Sequence, residues 1–399
     1  MHKSNTHNKI AIDGPSALVF YRDRDVARNQ GKPFYAQPVH AAPEVNMAAM
    51  EDVDDEDFYL SDDDMAMMLA ESHVFGGLPK TSRRDTEDEK AGLAPLKRTR
   101  IRNIEDCSVR SLDVKSIPFA SLGLRRPSED VPLYLLSPNV QGRRRVNNVR
   151  VRSCSAELPS DAFWQLGDRV LVPKPEFTFL LLAKYLDLAN LIMVGMELCG
   201  YYRLGGTSSN ALFASKSTMY GCQPLTSSVL LARFLERAKG FPGAKKAARA
   251  CRYLEQGAAS PMESVLYLLL CLPPMLGGYG LVRPILNGKR AVNREAKVFT
   301  MSEYLIPDLY WPAAKLDVEY DSEAFHADRL SLRNGAKRTL ALRAMHVEVV
   351  SLTSEIVYDD DSLDVVARLI GHRLGKRLPA KSNDTFSARK DALRETILT

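Results

Sequence analysis

Three acids near the C-terminal end, Asp308 after Pro307 and the pair Glu319 and Asp321 flanking Tyr320, are the residues whose types and spacing point to chemistry. The run Lys315-Leu-Asp-Val-Glu-Tyr-Asp321 alternates, so a strand there places Asp317, Glu319 and Asp321 on one face and Leu316, Val318 and Tyr320 on the other. Leu309-Tyr-Trp311 reads as the preceding strand and Pro312-Ala313 as the turn, which makes a hairpin with an acidic face. Such a face has two explanations. It is the wet side of a half-exposed antiparallel strand, or it is a set of like charges, joined by Asp308, whose repulsion a divalent cation relieves. On the second explanation Asp308, Glu319 and Asp321 are metal ligands for Mg2+ or Mn2+, and the chemistry is phosphodiester hydrolysis.

The elements around the hairpin are those that position such a site. Ser260-Pro261-Met262-Glu263 opens an apolar helix running through Cys271, with serine at N-cap, proline at N1 and glutamate at N3. Glu263 therefore has a capping role, and it is also placed to supply a carboxylate to the site; the two roles are compatible. Gly277 to Gly280 reads as a loop, and Lys297 to Met301 with Tyr304 to Ile306 as strand entering Asp308. Beyond the hairpin, Ala324 to Met345 reads as one long helix bearing His326, Arg329, Arg333, Lys337 and Arg338, then Val347 to Leu352 as a strand and Ser362 to Leu374 as a last helix. The core order is αβββαβ.

Composition bounds what this site serves. The chain has 399 residues, is 45% hydrophobic and carries a net charge of +5, as expected for two or three folded domains. Glu51, Asp52, Asp54, Asp55, Glu56, Asp57, Asp62, Asp63 and Asp64 are interrupted by no Lys or Arg, and setting these acids aside leaves +14 on the rest. A basic body suits a polyanion such as DNA, or serves solubility. The six cysteines show no Cys-x-x-Cys pair and read as free thiols of a reducing compartment. No apolar export segment opens the chain, and charges or prolines interrupt the apolar runs at 177–199 and 262–276. The expectation is a cytoplasmic protein without a membrane partner.

Five stretches follow. Residues 1–42 hold one short amphipathic helix around Ser16 to Tyr21. Residues 43–125 read as an acidic, largely disordered insert, a candidate docking segment for a protein partner. Residues 126–255 form a small α/β and helical domain, with strands at Val131 to Leu136, Val149 to Arg152 and Val170 to Val172. In it Arg143-Arg-Arg145 is read as a hairpin tip, and Lys245, Lys246, Arg249 and Arg252 lie on a basic helix. Residues 256–376 contain the acidic hairpin, and 377–399 are a polar C-terminal tail.

The stretch from Ser260 to about Thr353 resembles the Vsr-like branch of the PD-(D/E)XK endonucleases, in which an acidic helix start precedes D-x-x-W-P and E-x-D-x-x-x-x-H. The matching residues are Glu263, Asp308, Trp311-Pro312, Glu319, Asp321 and His326. Leu133 to about Tyr201 looks like the domain preceding such nucleases and is similar to AbiEi-type antitoxin regulators. The resemblance implies an α/β protein whose restriction-endonuclease-like core follows a small α/β domain and a disordered acidic insert. It implies a Mg2+-dependent DNA endonuclease with Glu263, Asp308, Glu319, Asp321 and His326 at the catalytic site. Arg333, Lys337 and Arg338 would then lie on the nucleic acid. The chain departs from the family pattern at Ser322, at Gly335 in place of an aspartate and at His346 in place of a glycine. A DNA-binding regulator on an inactive nuclease scaffold is the alternative.

Overall fold

The computed structural model describes residues 9–29 and 88–398, apart from 102, 106, 108–113, 139–145, 160, 216, 322–328 and 381–382. The chain is mixed α/β and divides into two compact units, one of residues 1–198 and 202–254 and the other of 199–201 and 255–399. The acidic run of residues 51–64, the arginine triplet 143–145 and His326 lie outside the described residues.

The first unit is built on a six-stranded sheet. Its strands are β1 (Ile10–Ile12), β2 (Leu96–Arg98), β3 (Leu133–Ser137), β4 (Val149–Ser153), β5 (Phe163–Leu166) and β6 (Val170–Pro173), in the order β2-β5-β6-β1-β3-β4. The N-terminal segment is thus not separate, because β1 runs parallel to β6 and antiparallel to β3 in the middle of this sheet. Residues expected in the insert also belong here, since β2 pairs with β5. A further correction concerns β3 and β4, which pair in parallel rather than as a hairpin. Alternation identifies a strand without fixing its direction.

Helix α1 (Gly14–Arg28) starts on Asp13, whose carboxylate accepts from Gly14 N at 2.7 Å. It is longer than its apolar stretch and is buried on nearly all sides rather than amphipathic, because Arg22, Arg24 and Asp25 go inside with the apolar residues. Helices α2 (Pro175–Leu182), α3 (Leu188–Leu198), α4 (Ser228–Arg237) and α5 (Ala244–Tyr253) complete the unit with the two-stranded ribbon β7 (Tyr202–Gly205) and β8 (Ser217–Tyr220). In α5 the buried stripe is Ala244, Ala247, Ala250 and Cys251.

The second unit opens with α6 (Pro261–Cys271), capped as its sequence dictates, with Ser260 Oγ accepting from Glu263 N at 3.1 Å. Its sheet has the order β14-β13-β12-β9, from β9 (Ile285–Leu286), β12 (Leu309–Trp311), β13 (Leu316–Asp321) and β14 (Glu348–Thr353). β12 and β13 form the expected hairpin, with Leu309 opposite Val318 and Trp311 opposite Leu316. β13 and β14 are parallel, joined through α7 (Arg329–Ala344). The stretch expected to enter Asp308 as strand does otherwise: Ala296–Val298 is a 3-10 turn, and β11 (Tyr304–Leu305) pairs only with β10 (Arg290–Ala291). Ala296, Leu305, Tyr310, Ala341, Leu342 and Val347 form one apolar cluster that ties this excursion to α7.

Helices α8 (Ser354–Tyr358), α9 (Asp360–Arg373) and α10 (Asp384–Leu398) follow. The last occupies the segment read as a polar tail. Its Phe386 and Leu393 are buried, and Phe386 packs edge-on to Tyr279 with ring centroids 5.7 Å apart. Gly277 (φ +89°) permits that docking, since a Cβ there would lie 2.3 Å from the Arg389 carbonyl oxygen. All six cysteines are free and five are buried. No helix among the described residues is long and apolar enough to cross a membrane.

Candidate functional site

The acids of the second unit are assembled by hydrogen bonds of the backbone as much as by packing. Glu263, 5% exposed, accepts from Ala259 N at 2.8 Å and from Asn287 Nδ2 at 2.5 Å through the same oxygen. Asn287, in the left-handed conformation just after β9 (φ 51°), also donates through its backbone N to the Asp308 carbonyl at 3.1 Å. One residue thereby links the start of α6 to the start of β12. Asp308 Oδ2 in turn accepts from Tyr320 N at 3.1 Å, which ties its side chain to β13 beside Glu319.

Glu319 is held by Arg338. The guanidinium donates to Glu319 Oε1 through Nε at 2.9 Å and Nη2 at 2.6 Å, and Nη2 also reaches the Ile306 carbonyl at 2.5 Å. The same nitrogen is 3.8 Å from Asp308 Oδ1. Arg338 lies one turn before Ala341 and Leu342, which are fully buried, so packing of α7 fixes where the guanidinium falls.

Asp317 was missed as a site residue, although its place on the acidic face was read correctly. The face grades from buried to wet along β13: Asp317 is 0% exposed, Glu319 half-buried and Asp321 exposed. No N–H donor among the described residues meets the Asp317 carboxyl, whose nearest polar partner is the Glu319 carboxyl. Burial, then the charge of Glu319 and a proton shared with it, pushes the Asp317 carboxyl up to about 9. Burial, with Glu263 and Glu319 adding to it, brings Asp308 to about 7 against the opposing pull of Tyr320 N–H and Arg338. Glu263 is also raised, by burial first. Burial is the leading cause at all three, and neighbouring like charge adds to it at Asp308 and Asp317.

Of the residues the sequence marked, Glu263, Asp308, Glu319 and Arg338 are brought together. Asp321 stands at the exposed end of β13 and is not among the leading charges acting on Asp308 or Asp317. Lys337 is exposed on α7. Arg333 is on that helix too, with its side chain outside the described residues, as His326 is entirely. Asn287 and Asp317 carried no motif. The signal available was the same-face position of Asp317.

Carboxylate oxygens of this kind are the donors that a hard divalent cation takes. Among the described residues, however, no three His, Cys, Asp or Glu side chains are already gathered tightly enough to hold one. The guanidinium of Arg338 stands among them instead. His346, between α7 and β14, has φ 59°, a left-handed conformation that accounts for the glycine expected there. Comparison of the chain with protein-family models, curated proteins and solved structures finds no match in any of the three.

Proposed function

We propose that the chain is a Mg2+- or Mn2+-dependent DNA endonuclease whose site lies in the second unit. The observation that carries this reading is the imbalance, among the described residues, between four neighbouring acids, Glu263, Asp308, Asp317 and Glu319, and the one guanidinium that meets them. Within the four-stranded sheet and its helices the order is α6, β9, β12, β13, α7, β14, with the β10–β11 ribbon inserted between β9 and β12, and this partial likeness to an αβββαβ order supports the reading. Carboxylate oxygens are the donors a hard cation takes, which supports the reading in donor type.

Asp308 and Glu319 would hold the ion. Bound there, it supplies Lewis-acid polarisation of the scissile phosphate and a water of lowered pKa. Glu263, fixed by Ala259 N–H and Asn287, keeps negative charge oriented at the start of α6. Arg338 and Lys337, with Arg333 on the same helix, would take the phosphates flanking the cut, and His326 would hand a proton to the leaving oxygen. DNA is the partner in this reading. The acidic run 51–64 remains the candidate for a protein contact.

A second reading, a DNA-binding regulator of AbiEi type on an inactive scaffold, is favoured by one observation: Arg338 already gives Glu319 its counter-charge. Nicking of supercoiled plasmid separates the two. The first reading expects Mg2+- or Mn2+-dependent nicking, lost on chelation and reduced at least 100-fold in Asp308→Asn and Glu319→Gln. Retention of DNA with no nicking in any divalent metal would overturn it.

A further inference from the structure

The first unit carries one strongly charged surface that the site in the second unit does not use. Between Ser228 and Tyr253 the chain has seven Lys or Arg and one acid, Glu236. In α5 the buried stripe of Ala244, Ala247, Ala250 and Cys251 turns Lys245, Lys246, Arg249 and Arg252 to the opposite side, within about a third of the helix circumference. Helices α4 and α5 pack on each other and both rest on α2, so their wet sides join, with Arg233 and Arg237 exposed on α4. Lys184 adds to them, since a Cβ on Gly243 would lie 3.7 Å from Lys184 Cγ, beside the first turn of α5 that holds Lys245 and Lys246. Helix stability does not explain this placement, because cations in a first turn oppose the macrodipole. Internal pairing does not explain it either. Glu236 is taken by Lys239 at 2.7 Å, and Lys184, Arg233, Lys245 and Lys246 have no ion pair among the described residues.

We propose that the α4–α5 face of the first unit docks the phosphate backbone of duplex nucleic acid, independently of base sequence and of any divalent ion. This goes beyond the nuclease reading, whose nucleic-acid contacts lie on α7, and does not depend on it. Charge complementarity carries the assignment, because phosphates are met by lysine and arginine without regard to sequence. Two features select the duplex among polyanions. Phe234 and Phe241 are buried, and no aromatic or large apolar side chain of α4 or α5 is exposed, so the face lacks the stacking platforms that hold single strands. It likewise offers no exposed apolar side chain to an acidic protein segment such as the chain's own residues 51–64, which bring Phe58-Tyr59-Leu60 with their acids.

Anisotropy titrations of labelled duplexes with the full chain, in EDTA and over a series of salt concentrations, test the proposal, with folding of each variant followed by circular dichroism. The expected result is equal binding of two duplex DNAs of unrelated sequence. In the triple variant Lys184→Gln, Lys245→Gln, Lys246→Gln, binding should weaken about tenfold or more and the salt slope should become shallower by about 2–3. The matching Lys→Arg triple, which keeps the charge, should bind as the wild type does. Duplex RNA is titrated in parallel, and the tighter of the two duplexes names the source of the backbone. Affinity and slope unchanged in the Gln triple would overturn the assignment. A Lys→Arg triple that fails as the Gln triple does would make the role structural and overturn it too. So would tighter binding of a single strand or of polyglutamate than of either duplex. EDTA keeps metal-dependent cutting out of the readout, so failure here leaves the nuclease reading standing.

Discussion

The two units treat buried charge in opposite ways. In the first, Arg22 makes a two-pronged pair with Glu197, Nε to Oε1 at 2.8 Å and Nη2 to Oε2 at 2.5 Å, both residues 1% exposed. The remaining Nη1 is taken by Thr207 Oγ1 and the Leu212 carbonyl. Arg203 meets Asp25 at 2.9 Å, while Arg24 and Arg28 share Asp88 at 2.7 and 2.6 Å. In the second unit, Arg338 is the one cation, among the described residues, found to act on each of Glu263, Asp308 and Asp317, and it also bonds Glu319. A buried charge with its counter-charge in place locks structure. A surplus of one sign, held in a sheet by backbone bonds and packing, is suited to a ligand of the other sign.

The sharpest way to break this contrast is to unbalance the first unit. Arg22→Met leaves Glu197 buried without its partner and is expected to cost about 3–5 kcal/mol in denaturant unfolding; a neutral result would show that the pair is not locked. In the second unit the sign should reverse. With chelator present, Asp317→Asn is expected to stabilise the protein by about 1–3 kcal/mol at mild alkaline pH, since it removes a carboxyl whose charged form burial disfavours.

The pH dependence carries the same contrast. The Asp317 carboxyl titrates near 9 when folded, far above an unfolded aspartate at about 4. Its proton is retained on folding, so the wild type is most stable relative to Asp317→Asn below about pH 4 and loses ground progressively up to about pH 9. Asp88 runs the other way. Burial would raise it, but hydrogen bonds and charge from Arg28 and Arg24 hold it below the ordinary value. Asp88→Asn should therefore cost about 1 kcal/mol at neutral pH, and the cost should fade as acid protonates the wild-type carboxylate. Thermal melts of both variants across pH check the opposed slopes. The smallest effect is expected at Asp321, where Asp321→Asn should change stability by less than about 0.5 kcal/mol.

How much of this was legible in the sequence follows the physics of each signal. The hairpin was readable because alternation over Leu316 to Asp321 and the Pro312-Ala313 turn are local, and the cap of α6 because Ser260, Pro261 and Glu263 sit at fixed offsets. What failed depended on distant partners. Arg22, Arg24 and Asp25 made α1 look polar and short, and only Glu197, Asp88 and Arg203 explain why they are buried. The parallel pairing of β3 and β4, the burial of Phe386 and Leu393 in α10, and the grading of the acidic face all come from packing that the local pattern does not contain. Asp317 and Asp321 are identical in type and face, and depth in the sheet alone separates them.

The central claim is that the acid cluster of the second unit binds a divalent cation. Thermal unfolding of the full chain with and without Mn2+ tests it most directly, since an ion that binds only the folded state stabilises it by about 2.7 kcal/mol at a hundredfold excess over its dissociation constant. The account predicts a rise in Tm for the wild type that Asp308→Asn abolishes. An unchanged wild-type Tm across saturating Mn2+ and Mg2+, or a rise that survives in Asp308→Asn, would contradict it.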